Sequence, residues 1–130
     1  MATAAFEVPG AKSAWYANEA IDRYEPVMID TDGKYAVSDG SGAFVGICQY
    51  GAAADEMCTV VKGIFPGAAS EVIAAGSKVI VATGDDLGKF KIADTEGDVV
   101  YGIAITAAAA IGDLFTIHML EVPMTIPAVG

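Results

Sequence analysis

The sequence predicts a mainly β protein, a small antiparallel barrel-like domain with an internal pseudo-repeat and a flexible N-terminal arm. Short β-like runs recur from Pro26 onward, separated by turns rich in Gly and Asp, which is typical of small antiparallel folds. The second half of the chain repeats the order of these runs. With 130 residues, of which 54% are hydrophobic, the chain is long enough for one domain and too apolar for disorder.

A hairpin opens the β-rich region. The run Val27–Ile29 is followed by the turn Asp30–Gly33, and Asp-Gly favours hairpins because it tolerates positive φ. Lys34–Val37 is the predicted return strand. Further strands are predicted at Ala43–Ile47, Met57–Val61 and Gly63–Phe65, the last ending at Pro66-Gly67.

The second half echoes these pieces at an offset of 55 to 57 residues. Val45-Gly46-Ile47 corresponds to Tyr101-Gly102-Ile103, and Thr59-Val60 to Thr116-Ile117. The sequence therefore predicts a β-rich domain over residues 25–130, with pseudo-repeats at about 26–65 and 77–120. Each half would offer an apolar face for the other to cover.

The segments outside these strands are less regular. Residues 1–24 form the predicted arm; within it, Ser13–Arg23 fits a short helix capped by Ser13 or an extended chain. Ala52–Ala54 and Ala107–Ala110 are predicted as tight connections, because helices that short need tertiary support. Ser70–Gly76 is predicted as one helical turn ended by Gly76.

The charge of the chain restricts its partners. Seventeen acidic and seven basic residues give a net charge of −10, and the halves 1–65 and 66–130 carry −5 each. Phosphate backbones and anionic membrane surfaces repel such a protein, so we expect neither direct nucleic-acid binding nor membrane association. The uncharged stretches Gly40–Ala54 and Val99–Gly112 are shorter than the roughly 18–20 residues of a spanning helix. The first residues also lack the pattern of a secretory signal, which predicts synthesis in the cytoplasm.

The cysteines and the single histidine do not form a recognisable site. Cys48 and Cys58 are ten residues apart, outside metal-binding or redox spacing, and we interpret them as two buried thiols. His118 lies in a strand-like run, where a half-buried structural histidine is expected more often than a general base without a partner.

Carboxylates in turns are the remaining candidates for chemistry. Asp30 and Asp32, or Asp85 and Asp86, have the oxygen ligands that hard cations prefer. Their spacing does not match a calcium loop, and solvated turn carboxylates are the favoured interpretation. We therefore predict no catalytic, cofactor or metal site, and a protein that is not an enzyme.

Several pieces in the first half resemble the head decoration proteins of lambda-type tailed bacteriophages. They are Pro26–Thr31, Asp39-Gly40, Ala43–Ile47 and Lys62–Phe65. The second half is similar to the related capsid cement proteins at Ala74–Val79, Val100–Ala104 and Ala109–Leu114. The chain departs from the lambda-type pattern after Phe65, where it carries a longer, repeat-like half.

The resemblance implies a fold of the β-clip kind and a place on the outer face of the virion capsid. Homotrimers would bind the major capsid protein of an expanded shell, clamp neighbouring subunits and resist the pressure of packaged DNA. An N-terminal segment becomes ordered on the capsid in this family, so deletion of residues 1–16 is expected to leave a folded oligomer that no longer decorates heads. The candidate capsid contacts here are Phe6, Val8, Pro9, Trp15 and Tyr16.

Trp15 and the function of the chain each have two interpretations. Aromatic side chains suit the centre of an interface and an extended backbone suits strand addition, but Trp15 could equally pack on its own domain. The alternative function is a small β carrier of the biotinyl or lipoyl type, with Lys34 or Lys89 as the attachment residue. Neither lysine has the flanking residues of those carriers, and the arm would then be unexplained.

Overall fold

The computed structural model describes residues 8–126, which form one antiparallel sheet curled into a half-barrel. The nine strands of this part of the chain are β1 (Val8–Tyr16), β2 (Pro26–Ile29), β3 (Tyr35–Val37), β4 (Ala43–Cys48), β5 (Met57–Ala68), β6 (Lys78–Val81), β7 (Phe90–Ile92), β8 (Val99–Ala104) and β9 (Leu114–Thr125). A single turn of 3-10 helix, Gly84–Asp86, lies between β6 and β7. The predicted mainly β, antiparallel class is confirmed.

The order of the strands is symmetric about the β5–β9 pair. It runs β3-β2-β4-β5-β9-β8-β6-β7, with β1 also paired to β5. The hairpins β2–β3 and β6–β7 lie outermost, and β4 and β8 connect them to the centre. Each half thus contributes the same pattern of strands, which supports the division into pseudo-repeats, still a prediction from the sequence.

The symmetry includes a segment that the predicted repeats leave out. Ile21 and Ala52 exchange backbone hydrogen bonds of 2.9 and 2.8 Å, and Ile73 and Ala108 do the same at 3.0 and 2.8 Å. The segment before β2 therefore plays the same part as the segment before β6. Because Ile73 forms this bridge, the predicted helical turn at Ser70–Gly76 is wrong.

The choice between helix and extended chain at Ser13–Arg23 is settled in part by β1. Ser13 lies opposite Val60 and Tyr16 lies opposite Met57, so the chain is extended as far as Tyr16 and the helix is wrong there. A long partner strand satisfies the backbone donors and acceptors that a helix would otherwise satisfy internally.

Strand β5 does not end at Pro66-Gly67, as the sequence predicted, but continues to Ala68. Pro66 lies opposite Thr116 on β9, and the main chain of Thr116 is used elsewhere: its N–H donates to Thr106 Oγ1 and its carbonyl accepts from Ile105. The backbone nitrogen of Pro66, which carries no hydrogen, therefore faces away from β9. Pro66 lies beyond the last described β1–β5 pair, at Ile64, so the described part of that ladder loses no hydrogen bond.

The main core joins the two halves of the sheet. Ile47 and Val61 from the first half pack with residues of the second half, among them Phe90, Phe115 and Ile117, and all five are fully buried. The rings of Phe90 and Phe115 meet edge to face at 6.3 Å. Full burial of side chains this size contributes about 1.5–3 kcal/mol each, so the two halves stabilise one another.

Candidate capsid-contact surface

The outer edge of β1 is an open sheet edge up to its last residues. Among the described residues, the ladder of β1 is with β5. Directly after β1, Ala17 forms a parallel bridge with Tyr35 of β3, and the Asn18 N–H donates to Tyr35 O at 2.8 Å. The Ala17 N–H donates to Glu56 O at 2.8 Å, so the backbone groups of Ala17, and of every second residue before it, face β5. Because backbone groups alternate along an antiparallel strand, the N–H and C=O of Lys12, Ala14 and Tyr16 face outward. Tyr16 lies next to the bridge to Tyr35, so the open part of the edge is at Lys12 and Ala14. Such an edge can accept a strand from another chain.

Two aromatic side chains stand on this strand. Trp15 is 49% exposed, and its indole N–H donates to the Gly33 carbonyl at 3.0 Å. Tyr16 is 47% exposed, and its ring meets that of Trp15 edge to face at 5.6 Å. Met57, 53% exposed, lies opposite Tyr16 on β5. We call Trp15, Tyr16 and Met57 the aromatic patch.

Trp15 contacts its own domain, and its part in capsid binding stays a prediction. The indole is anchored to its own domain through Gly33, yet about half of its surface stays available to a partner. A side chain held in this way loses little conformational entropy on binding, which favours affinity.

The remaining predicted contact residues lie at the start of β1 or before it. The backbone of Val8 lies opposite Ile64 and that of Pro9 opposite Gly63, while Phe6 lies outside the described residues. Four of the five predicted contact residues are therefore on one strand. Sequence reasoning missed Met57, since only the β1–β5 register brings it next to Tyr16.

Polar contacts connect the segment that follows β1 to the β2–β3 turn. The carboxylate of Asp30 accepts from the backbone N–H groups of Asp32 and Lys34 and from the Asn18 amide, at 2.7 to 3.1 Å. The Lys34 amine contacts Asp55 at 3.4 Å on the surface. Asp30 thus organises the β2–β3 turn, in agreement with its interpretation as a turn carboxylate.

A family model described as phage cement protein matches residues 10–120, most of the chain. The chain belongs to the phage cement protein family. Members of this family lie on the exterior of the virion capsid, so this is a capsid-associated structural protein of a phage head. The predicted resemblance and the predicted location are confirmed.

The fold of this cement protein is also that of a solved phage structure. It is similar to the N base of the head fiber protein gp8.5 of bacteriophage phi29, with a TM-score of 0.63 and 15% identical residues. The alignment covers 88% of this chain and 97% of the phi29 chain. No curated protein matches the sequence. At this identity the likeness shows the fold alone.

The histidine of the cement protein differs from its prediction. His118 is exposed on β9, not half-buried, because the buried Ile117 and Met119 occupy the opposite face of the strand. Within residues 8–126 no three or more His, Cys, Asp or Glu side chains come together in a way that could hold a metal ion. The same residues contain no helix long and apolar enough to cross a membrane.

The lysines of the carrier alternative stand just before strands and away from the tips of the hairpins. Both Lys34 and Lys89 are half-buried, and each precedes the second strand of its hairpin. The carbonyl of Lys89 accepts from the Ala82 N–H at 2.8 Å, and its own N–H donates to Asp86 O at 3.1 Å. These contacts are those of residues that close a hairpin.

Proposed function

We propose that this cement protein decorates the outer surface of an expanded phage head as a homotrimer. Its β1 edge, the aromatic patch and the residues before Val8 bind the major capsid protein, and the bound trimers stabilise the shell against the pressure of packaged DNA. The observation that carries the proposal is the open edge of β1 with two half-exposed aromatic side chains beside it.

The physical requirements of this role match the surface described above. A specific protein contact usually buries about 800 Å² per partner, with aromatic residues near its centre. Strand addition at β1 would supply main-chain hydrogen bonds, and the aromatic patch would supply the anchors. Because each trimer would touch several capsid subunits, linked contacts would raise the apparent affinity roughly 10²–10⁴-fold over a single contact.

Adhesion of this kind needs no reacting group. We propose that the protein has no catalytic activity and does not contact nucleic acid directly, because its net charge of −10 opposes binding to phosphates. The negative surface also limits adhesion between virions.

The β1 edge can be tested without removing the strand. Since β1 pairs with β5 over most of its length, deletion of residues 1–16 would remove part of the sheet, and its effect on decoration would be ambiguous. Replacement of Ala14 by proline removes one outward-facing N–H and leaves the β5 ladder intact. The matched control is Ala14→Val, which keeps the N–H.

In a binding assay with expanded, undecorated heads, we expect Ala14→Pro to lose decoration while Ala14→Val keeps it. Tyr16→Ala should weaken binding by roughly 10- to 100-fold, the effect of removing an aromatic anchor. Circular dichroism would establish that both position-14 variants are folded. Normal decoration by a folded Ala14→Pro protein would exclude strand addition at this edge.

The oligomeric state needs its own measurement. Light scattering on the purified protein should give the mass of three chains, and heads with bound protein should release their DNA at a higher temperature than undecorated heads. A monomer that binds heads would contradict the trimer, and an unchanged release temperature would contradict the stabilising role.

A further inference from the structure

The two cysteines, far from any recognised motif, are in contact. Cys48 at the end of β4 and Cys58 at the start of β5 are both fully buried, and their Sγ atoms are 3.6 Å apart. Cys48 lies opposite Val60 in the ladder, so Cys58 is its diagonal neighbour on the same face. A disulfide has an S–S distance of about 2.05 Å, and diagonal neighbours lie about 7–8 Å apart, so bond formation requires a rotation of both side chains and a closer approach of the two strands.

The surroundings make the two sulfurs unequal. The Cys58 thiol donates to Cys48 Sγ, and the Gly51 N–H donates to the same sulfur at 3.1 Å. These donors lower the pKa of Cys48 to about 7. The same contact, together with burial, raises the pKa of Cys58. Cys48 is therefore suited to attack as a thiolate. Cys58 stays protonated, and its contact with Cys48 Sγ, rather than its pKa, places it to resolve the product.

The other half of the sheet shows that packing alone does not demand cysteine here. By ladder position, Cys48 corresponds to Ala104 and Cys58 to Phe115, since each pair occupies the same places on the equivalent strands. Ala104 and Phe115 fill their half of the core with a small and a large apolar side chain. The first half has two sulfur atoms in the corresponding positions.

We propose that Cys48 and Cys58 form an oxidation site, at which a hydroperoxide produces an intramolecular disulfide that links β4 to β5. The Cys48 thiolate attacks the peroxide oxygen, forming a sulfenic acid and releasing hydroxide, or the alkoxide for an organic peroxide. Cys58 then attacks the Cys48 sulfur, the S–O bond breaks, and water leaves. Two thiols are oxidised, and for hydrogen peroxide the reduced product is two molecules of water.

The location of the protein exposes it to oxidants. Thiols stay reduced in the cytosol, whereas a protein on the exterior of a released virion meets an oxidising medium. Access requires only local opening of the connection between β4 and β5, residues 49–56. Its central Ala52 is held by the Ile21 bridge, while the neighbouring Tyr50 and Ala53 are exposed. The proposal does not depend on the trimer or on the β1 edge.

Treatment of the purified protein with millimolar hydrogen peroxide tests the site. After denaturation and alkylation, intact mass should show the loss of two hydrogens and no alkylated thiol. The Cys58→Ala variant should stop at oxidised, unlinked Cys48, and Cys48→Ala should keep an alkylatable Cys58. The disulfide closes a loop of about ten residues, so the melting temperature should rise by roughly 5–10 °C and fall back on reduction.

Two results would overturn the proposal. One is that both thiols remain alkylatable after peroxide treatment of the folded protein, which would make them inert buried side chains. The other is oxygen addition or linkage between chains in place of the internal disulfide. A disulfide that formed but lowered the melting temperature would also contradict the linking role, and the double variant Cys48→Ala/Cys58→Ala controls for oxidation elsewhere.

Discussion

Replacement of Gly46 by alanine tests the close approach of β4 and β5 that underlies the first half of the sheet. Gly46 has φ of +138°, where an L side chain is strained, and an added Cβ would overlap the Val61 carbonyl oxygen and lie 2.8 Å from Val60 Cγ1. Backbone strain in such a region costs about 1–3 kcal/mol, and overpacking of a core adds about 1–3 kcal/mol. We expect the free energy of unfolding to fall by roughly 2–6 kcal/mol.

The matched control is Gly33→Ala. Gly33 also has positive φ, +75°, but no atom lies within 4 Å of an added Cβ, so this variant measures strain without overlap. It should lose about 1–2 kcal/mol. For a chain this size each kcal/mol lowers the melting temperature by roughly 4 °C, so circular dichroism would separate the two variants. Equal losses at both positions would refute the close strand approach.

Three further predictions concern single side chains. Burial raises the pKa of Glu25, so between the ordinary and the raised pKa the folded state binds more protons than the unfolded state, and the free energy of unfolding falls as pH rises. Glu25→Gln keeps an acceptor for the Asp22 N–H. Denaturant titrations of this variant at several pH values should therefore lose that pH dependence. Within the described residues the buried Gln49 Oε1 has no hydrogen-bond partner, so Gln49→Met should raise the free energy of unfolding by about 1 kcal/mol in the same titration. Trp15→Phe removes the hydrogen bond to Gly33 and should lower it by about 0.5–1 kcal/mol, and an unchanged value would mean that the indole is not anchored.

Much of the fold was predictable because local chemistry and tertiary structure agree. Asp32-Gly33 predicted the first hairpin, and Gly33 has the positive φ that the turn requires. The echo between Gly46 and Gly102 predicted equivalent strands, and in both places an added Cβ would meet the next strand. Those glycines are visible in the sequence because a side chain is sterically excluded there.

Other features were hidden because the sequence does not mark them. Asp55 has φ of 69° in the turn where the second half has Gly112, and Tyr24 has φ of 74° where the second half has Gly76. Asp55 and Tyr24 are not glycines, so the first half of the sequence does not indicate a positive φ at these positions. The continuation of β5 through Pro66 was missed for a similar reason, since a proline is tolerated there only because its nitrogen faces away from β9.

The amino-acid sequence alone determined the mainly β class, the first hairpin, the acidic charge and the likeness to phage head proteins, because turn chemistry, alternation and charge act over a few residues at a time. Only the tertiary structure decided that β1 joins the sheet with one edge open, that Met57 stands beside Tyr16, and that Cys48 touches Cys58. These facts depend on register between strands far apart along the chain. Register is set by the packing of the whole sheet, which no local pattern specifies.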